Sequence, residues 1–179
     1  MASTPGIVRS VTHTTRPRRP GEEDGRDYHF LSQAEFERRR QAGGFLEWAT
    51  VHGYLYGTSR PDISRLCQQG LDVLLVIDYQ GASSLRRQGV DALYIFILPP
   101  SLAALEERLR QRNSDDDAAV RARLAIAPIE MAQYQHYDYA IVNDDLELAT
   151  QQLQAIILAD RCRVGRVNRR YPIFAELDG

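Results

Sequence analysis

Val73-Leu-Leu-Val-Ile-Asp-Tyr-Gln-Gly-Ala-Ser-Ser-Leu-Arg-Arg-Gln-Gly89 is a strand sequence followed by a helix sequence. Val73–Ile77 is unbroken in apolar character and rich in β-branched side chains, the pattern of a strand buried on both faces of a parallel sheet. Gly81–Gln88 then reads as a short helix that Gly89 ends. Working outward, Ile7–Val11, Leu93–Leu98 and Tyr139–Val142 repeat the strand pattern. Helices fall between them. Ser32-Gln-Ala-Glu35 is a capping box opening a helix to about Gln41, and Gly43-Gly44 stops it. Arg60–Gln69 is helical up to Gly70, Ser101–Arg112 follows Pro99-Pro100, and Asp116–Tyr134 and Leu146–Arg163 complete the set. Strands alternating with helices predict an α/β fold with a parallel sheet.

One stretch departs from that rhythm. Between Tyr28 and Thr58, the segment Trp48-Ala-Thr-Val-His-Gly53-Tyr-Leu-Tyr56-Gly57-Thr58 predicts short antiparallel strands around a glycine turn, a small insert on the α/β core. The chain has 179 residues and a net charge of −2, so it fits one domain, residues 1–179, without a field that attracts nucleic acid or anionic membrane. Its apolar runs are too short to span a bilayer. The two cysteines, Cys67 and Cys162, stand in unrelated contexts, which argues against a disulfide framework and for a reducing cytoplasm. Every basic residue is arginine. No step that needs a side-chain ammonium group can run on these residues alone.

Ser10-Val-Thr-His-Thr-Thr-Arg16-Pro-Arg-Arg19-Pro-Gly21-Glu22 and Gly25-Arg-Asp-Tyr28-His-Phe30 closely resemble the GMP-phosphate loop of guanylate kinases. Phe45-Leu-Glu47-Trp48, Tyr54-Leu-Tyr56-Gly57-Thr58 and Val76-Ile-Asp78-Tyr-Gln-Gly81 match the same family in order and spacing. So do Phe96-Ile-Leu-Pro99-Pro100-Ser101, Arg108-Leu-Arg-Gln-Arg112 and Ile141-Val-Asn143-Asp144-Asp145. The likeness runs from about Ile7 to Arg163. It implies a P-loop kinase-like parallel sheet flanked by helices and missing its first strand. A small mixed-β GMP-binding insert at residues 12–60 and a helical lid at residues 108–124 complete the implied plan.

The chemistry agrees with the resemblance. A nucleotide phosphate calls for paired guanidinium forks, and Arg16 and Arg19 sit on a loop stiffened by proline and glycine. Taken singly, each would read as a surface arginine. Tyr28 and Tyr56 match family positions that add neutral donors. Guanine offers two adjacent N–H donors on one edge, which a carboxylate accepts together. Glu47 matches that role, with Thr58 placed to donate to the base carbonyl and Gly57 beside it. Thr12 stands where the family usually has serine. Adenine would leave such a carboxylate unpaired. Arg108, Arg112 and Arg123 match arginines that close on ATP phosphates, and Asp78 matches the second acid of an acidic pair on the catalytic floor. Asn143 matches a position at the adenine end of the ATP site. Four departures stand out: Val76 replaces the first acid, Gln111 and Asn113 replace hinge glycines, and Pro128 falls inside a helix, where it should kink or break it.

The family implies ATP-dependent phosphorylation of GMP to GDP, with Mg²⁺ carried on the ATP phosphates and no protein metal site in these residues. It also implies a strand, a G-x-x-x-x-G-K-[ST] loop and a helix ahead of Ile7, none of which the sequence contains. Three readings stay open: a kinase that starts upstream of Met1, a shortened product that binds GMP with weak or no activity, and a non-catalytic guanylate-kinase-like module binding GMP or a peptide. The first is favoured, because a complete GMP site and lid arginines stand together. It expects about 20–30 further residues upstream, enough for the strand, loop and helix.

Overall fold

The structure is a computed structural model that describes residues 4–111 and 117–170. Its contacts divide the chain into two units, Met1–Asp91 and Ala92–Gly179. In the first unit the elements are β1 (Ile7–Arg9), β2 (His13–Thr14), β3 (His29–Phe30), α1 (Gln33–Gln41), β4 (Phe45–Val51), β5 (Tyr54–Ser59), α2 (Arg60–Gln68), β6 (Asp72–Leu74) and α3 (Tyr79–Arg87). β1 and β6 pair in parallel with Val8 opposite Val73. The other strands form a four-stranded sheet in the order β3-β2-β5-β4. That sheet is mixed, because β2 runs parallel to β3 and antiparallel to β5.

Local chemistry explains the elements. Ser32 caps α1 by accepting the Glu35 N–H, as the capping box requires. Ser59 caps α2 through the Asp62 N–H, and Pro61 occupies the first turn, where a missing N–H costs nothing. β4 and β5 join through His52 and Gly53, whose φ values of 48° and 82° give the turn that matches strand twist. Phe36 of α1 is fully buried and stacks on Phe45 of β4 at 4.4 Å between ring centres, which fastens the helix to the sheet.

The second unit contains β7 (Ile95–Leu98), α4 (Leu102–Gln111), α5 (Asp117–Met131), a 3₁₀ turn (Ala132–His136), β8 (Tyr139–Val142), α6 (Leu146–Arg161) and α7 (Val164–Arg170). β7 and β8 pair in parallel with Ile97 opposite Ile141. Leu109, Val120, Ala127, Ile141 and Ala149 form its buried apolar set.

Several sequence expectations shift. β6 ends at Leu74 rather than Ile77, and Val76 is 64% exposed. α3 starts two residues before Gly81 because Asp78 caps it. Ile97 and Val142 are exposed, not buried, since each parallel pair is only two-stranded among the described residues. α5 runs through Pro128 to Met131 without a break. The missing N–H frees only the Leu124 carbonyl, and Pro128 is exposed where water can reach. α7 has no counterpart in the sequence reading.

Candidate functional site

Glu47 and Thr58 are brought face to face by an irregularity in the β4–β5 ladder. Phe45 pairs with Ser59, but the next pair is Glu47 with Thr58, so Leu46 is the extra residue of a bulge. Ordinary alternation along β4 buries Phe45 and Glu47, to 6% and 5% exposure, and the bulge sets Glu47 opposite Thr58 instead of Gly57. Thr58, at 1% exposure, donates its hydroxyl to Glu47 Oε1 at 2.5 Å. Burial pushes the Glu47 carboxyl above its usual pKa, against the Thr58 hydrogen bond, and the nearby Asp78 charge adds to the rise. Oε2 carries no hydrogen bond to another side chain among the described residues and lies against Gly81. The Thr58 backbone N–H also supports the ionised form, and a buried carboxylate keeps acceptor sites enough to take paired N–H donors from a base edge.

The arginine loop is anchored to the same sheet. Thr14 is fully buried, donates to the Leu55 carbonyl at 3.0 Å and accepts the Arg16 N–H at 3.1 Å. The Arg16 guanidinium reaches Glu22 Oε1 at 2.6 Å and the Pro17 carbonyl at 2.8 Å. Its carbon lies 5.3 Å from the centre of the Tyr28 ring, and Tyr28 packs edge-on to Tyr56 at 6.1 Å. Burial opposes the Arg16 charge, but hydrogen bonds to Glu22 and Tyr56 outweigh it and hold its pKa above the ordinary value. The same Arg16 bond holds Glu22 below the usual carboxylate range. Glu22 Oε2 also accepts the Arg19 backbone N–H at 2.8 Å, closing the loop into a fixed turn. The Arg19 side chain is exposed. Arg16, Tyr28 and Tyr56 thus form one cluster beside the Glu47–Thr58 pair, which follows Tyr56 and Gly57 along β5.

Gly57 lies inside this sheet, opposite both His13 and Trp48. A Cβ there would stand 2.9 Å from Phe45 Cδ1 and 3.0 Å from Phe36 Cζ, so packing excludes a side chain. Thr12 precedes β2 and offers its carbonyl to the His29 N–H at 2.9 Å. Asp78 caps α3: Oδ1 accepts the Gly81 N–H at 2.9 Å and Oδ2 accepts Gln80 Nε2 at 3.1 Å.

In the second unit, Arg108 donates to the Asn143 carbonyl at 2.8 Å. Both residues line a cavity of about 170 Å³ with Ile97, Pro99 and Leu105. Arg123 is half-buried on α5. Arg112 and Asn113 lie outside the described residues, and Gln111 ends α4 with its amide on Glu107 Oε1 at 3.0 Å. Among the described residues no group of three His, Cys, Asp or Glu side chains could hold a metal ion. No described helix is long and apolar enough to cross a membrane.

Sequence reasoning missed three contributors: Thr14, the loop anchor; Glu22, quoted only as part of a motif; and Gly81. A hydroxyl just before an arginine-proline turn was the available signal for Thr14.

The family profile described as guanylate kinase matches residues 3–160. A guanylate kinase from Symbiobacterium thermophilum is 50% identical over 166 residues, covering 93% of this chain and 79% of the relative. One from Cupriavidus metallidurans is 46% identical over 178 residues, covering 99% and 82%. The crystal structure of guanylate kinase from Anaplasma phagocytophilum superposes with a TM-score of 0.78 at 34% identity, covering 93% of this chain and 86% of that one. With its sequence and its fold matched over nearly the whole length, the chain belongs to the guanylate kinase family.

Proposed function

We propose that residues 12–60 bind GMP as the acceptor of a phosphoryl group from ATP. The observation that carries this reading is the buried Glu47–Thr58 pair, held by a strand bulge within one sheet that also fixes the Arg16 loop. Glu47 would accept the two N–H donors of the guanine edge, and Thr58 would turn its single hydroxyl proton from Glu47 Oε1 to the base carbonyl as the base arrives. Arg16 and Arg19, with the Tyr28 and Tyr56 hydroxyls, would take the phosphate, and Thr12 and Gly57 would complete the pocket. Glu22 keeps the Arg16 fork oriented before the ligand arrives, and a phosphate would share or replace that contact.

Arg108, Arg112 and Arg123 would neutralise charge spreading over the transferred group, and Asn143 would lie at the adenine end of the donor site. Mg²⁺ would supply charge neutralisation while bound to the ATP phosphates. Asp78 would act near the acceptor, its Oδ1 also holding the first turn of α3 through the Gly81 N–H.

Calorimetric titration tests the reading. GMP should bind more tightly than AMP by at least about tenfold, the scale of a buried charged acceptor left unpaired. Equal affinities would refute it.

A further inference from the structure

Gly81 leaves out a side chain at the place where one would collide with Glu47. A Cβ at Gly81 would stand 2.5 Å from Glu47 Oε2 and 3.1 Å from its Cδ. Non-bonded heavy atoms rest ~3.5–4.0 Å apart, so the carboxylate would have to withdraw by about 1 Å. It is poorly placed to do so, being 5% exposed and tied through Oε1 to the buried Thr58 hydroxyl.

The helix is no freer to move. Asp78 holds its first turn through the Gly81 N–H, and Ala82 and Leu85 are buried at 4% and 2% exposure. At its far end Gln88 Nε2 donates to the Leu46 carbonyl of β4 at 3.2 Å. Nothing in the backbone calls for glycine at this position. Gly81 is the third residue of α3 and is not among the glycines with positive φ. Alanine is the stronger helix former there. The local preference therefore favours a side chain, and the tertiary contact forbids one.

We infer that Gly81 is a positioning residue that determines base specificity: its missing Cβ lets α3 lie against Glu47 and sets where the carboxylate meets the guanine edge. This rests on the GMP reading above. Catalytic and binding groups must be held within ~0.5 Å of productive geometry, so a displacement of about 1 Å is decisive for a two-bond contact.

The test titrates the full chain and its Gly81→Ala variant with GMP, with IMP (which lacks the 2-amino group) and with AMP. The expected result is a GMP affinity at least about tenfold weaker, with IMP and AMP changed much less. The selectivity ratio is the readout, since a purely structural defect weakens all three alike. In a Glu47→Gln background, Gly81→Ala should cost no further selectivity, because both changes act through one carboxylate. Should Gly81→Ala fail to fold, Gly81→Ala with Glu47→Asp should fold, the shorter side chain withdrawing the carboxylate from the added methyl. Failure of that rescue overturns the inference. It is also overturned if Gly81→Ala keeps the GMP-to-AMP ratio while Glu47→Gln loses it, an outcome that leaves the GMP reading standing. A wild-type chain that does not prefer GMP overturns both.

Discussion

Thr58→Val removes one hydroxyl and little volume, which isolates the contact at the centre of the site. Thr58 and Glu47 are 1% and 5% exposed, and the hydroxyl-to-carboxylate distance is 2.5 Å. A hydrogen bond to a charged group contributes ~1.5–3 kcal/mol, and valine leaves the acceptor buried with nothing in exchange. A loss of about 2 kcal/mol corresponds to roughly 4–8 °C in melting temperature for a chain of this size. The effect must depend on pH, and its sign follows from the raised Glu47 pKa. The ordinary value is 4.5 and the folded value lies above it, chiefly through burial. Below pH 4.5 the carboxyl is protonated in both states and the cost of ionising it in the fold is absent. As pH rises through the folded value that cost appears in full, and so does the worth of the Thr58 donor. The gap between wild type and Thr58→Val therefore widens from pH 4 to pH 8. Urea unfolding followed by Trp48, the single tryptophan and the neighbour of Glu47 on β4, reads it locally. A gap under about 0.5 kcal/mol at pH 8, or one equal at both pH values, would refute the reasoning.

Arg16→Ala should weaken GMP by at least about tenfold and leave guanosine, which has no phosphate, unchanged, as parallel titrations would show. His13 is 4% exposed, stacks 4.6 Å from His29 and meets Arg39 at 3.1 Å, and burial followed by those two charges lowers its pKa from 6.5 to about 4. Its neutral form is the folded form, so stability is lost as pH falls from 6.5 towards 4, by roughly 3 kcal/mol in all. Asp24 and Asp62 oppose that shift, and His13→Phe should flatten this part of the acid profile in pH-dependent urea unfolding. Gly57→Ala should cost ~1–3 kcal/mol in the same assay, because the added methyl meets Phe45 and Phe36 within 3.0 Å.

Elements fixed by neighbouring residues could be read from the sequence. The Ser32 cap needs only a hydroxyl three residues before a free N–H, and the His52-Gly53 turn needs only residues that tolerate positive φ. The alternation of strands and helices was legible for the same reason, and the site residues came from segments whose order resembles the family. What escaped depends on contacts distant in sequence. Val73–Ile77 looks like one strand, but β1 has partners only as far as Leu74. The bulge at Leu46 exists because β4 must fit β5, and no spacing within Phe45–Trp48 announces it. Gly81 reads as an ordinary early-helix glycine until Glu47, far upstream in the chain, is seen beside it.

A crystal structure of the chain with GMP tests the central claim most directly. The guanine edge should lie on the Glu47 carboxylate with the base carbonyl at Thr58, and the phosphate should lie among Arg16, Arg19, Tyr28 and Tyr56. A nucleotide bound elsewhere, or bound here with its base turned away from Glu47, would contradict it.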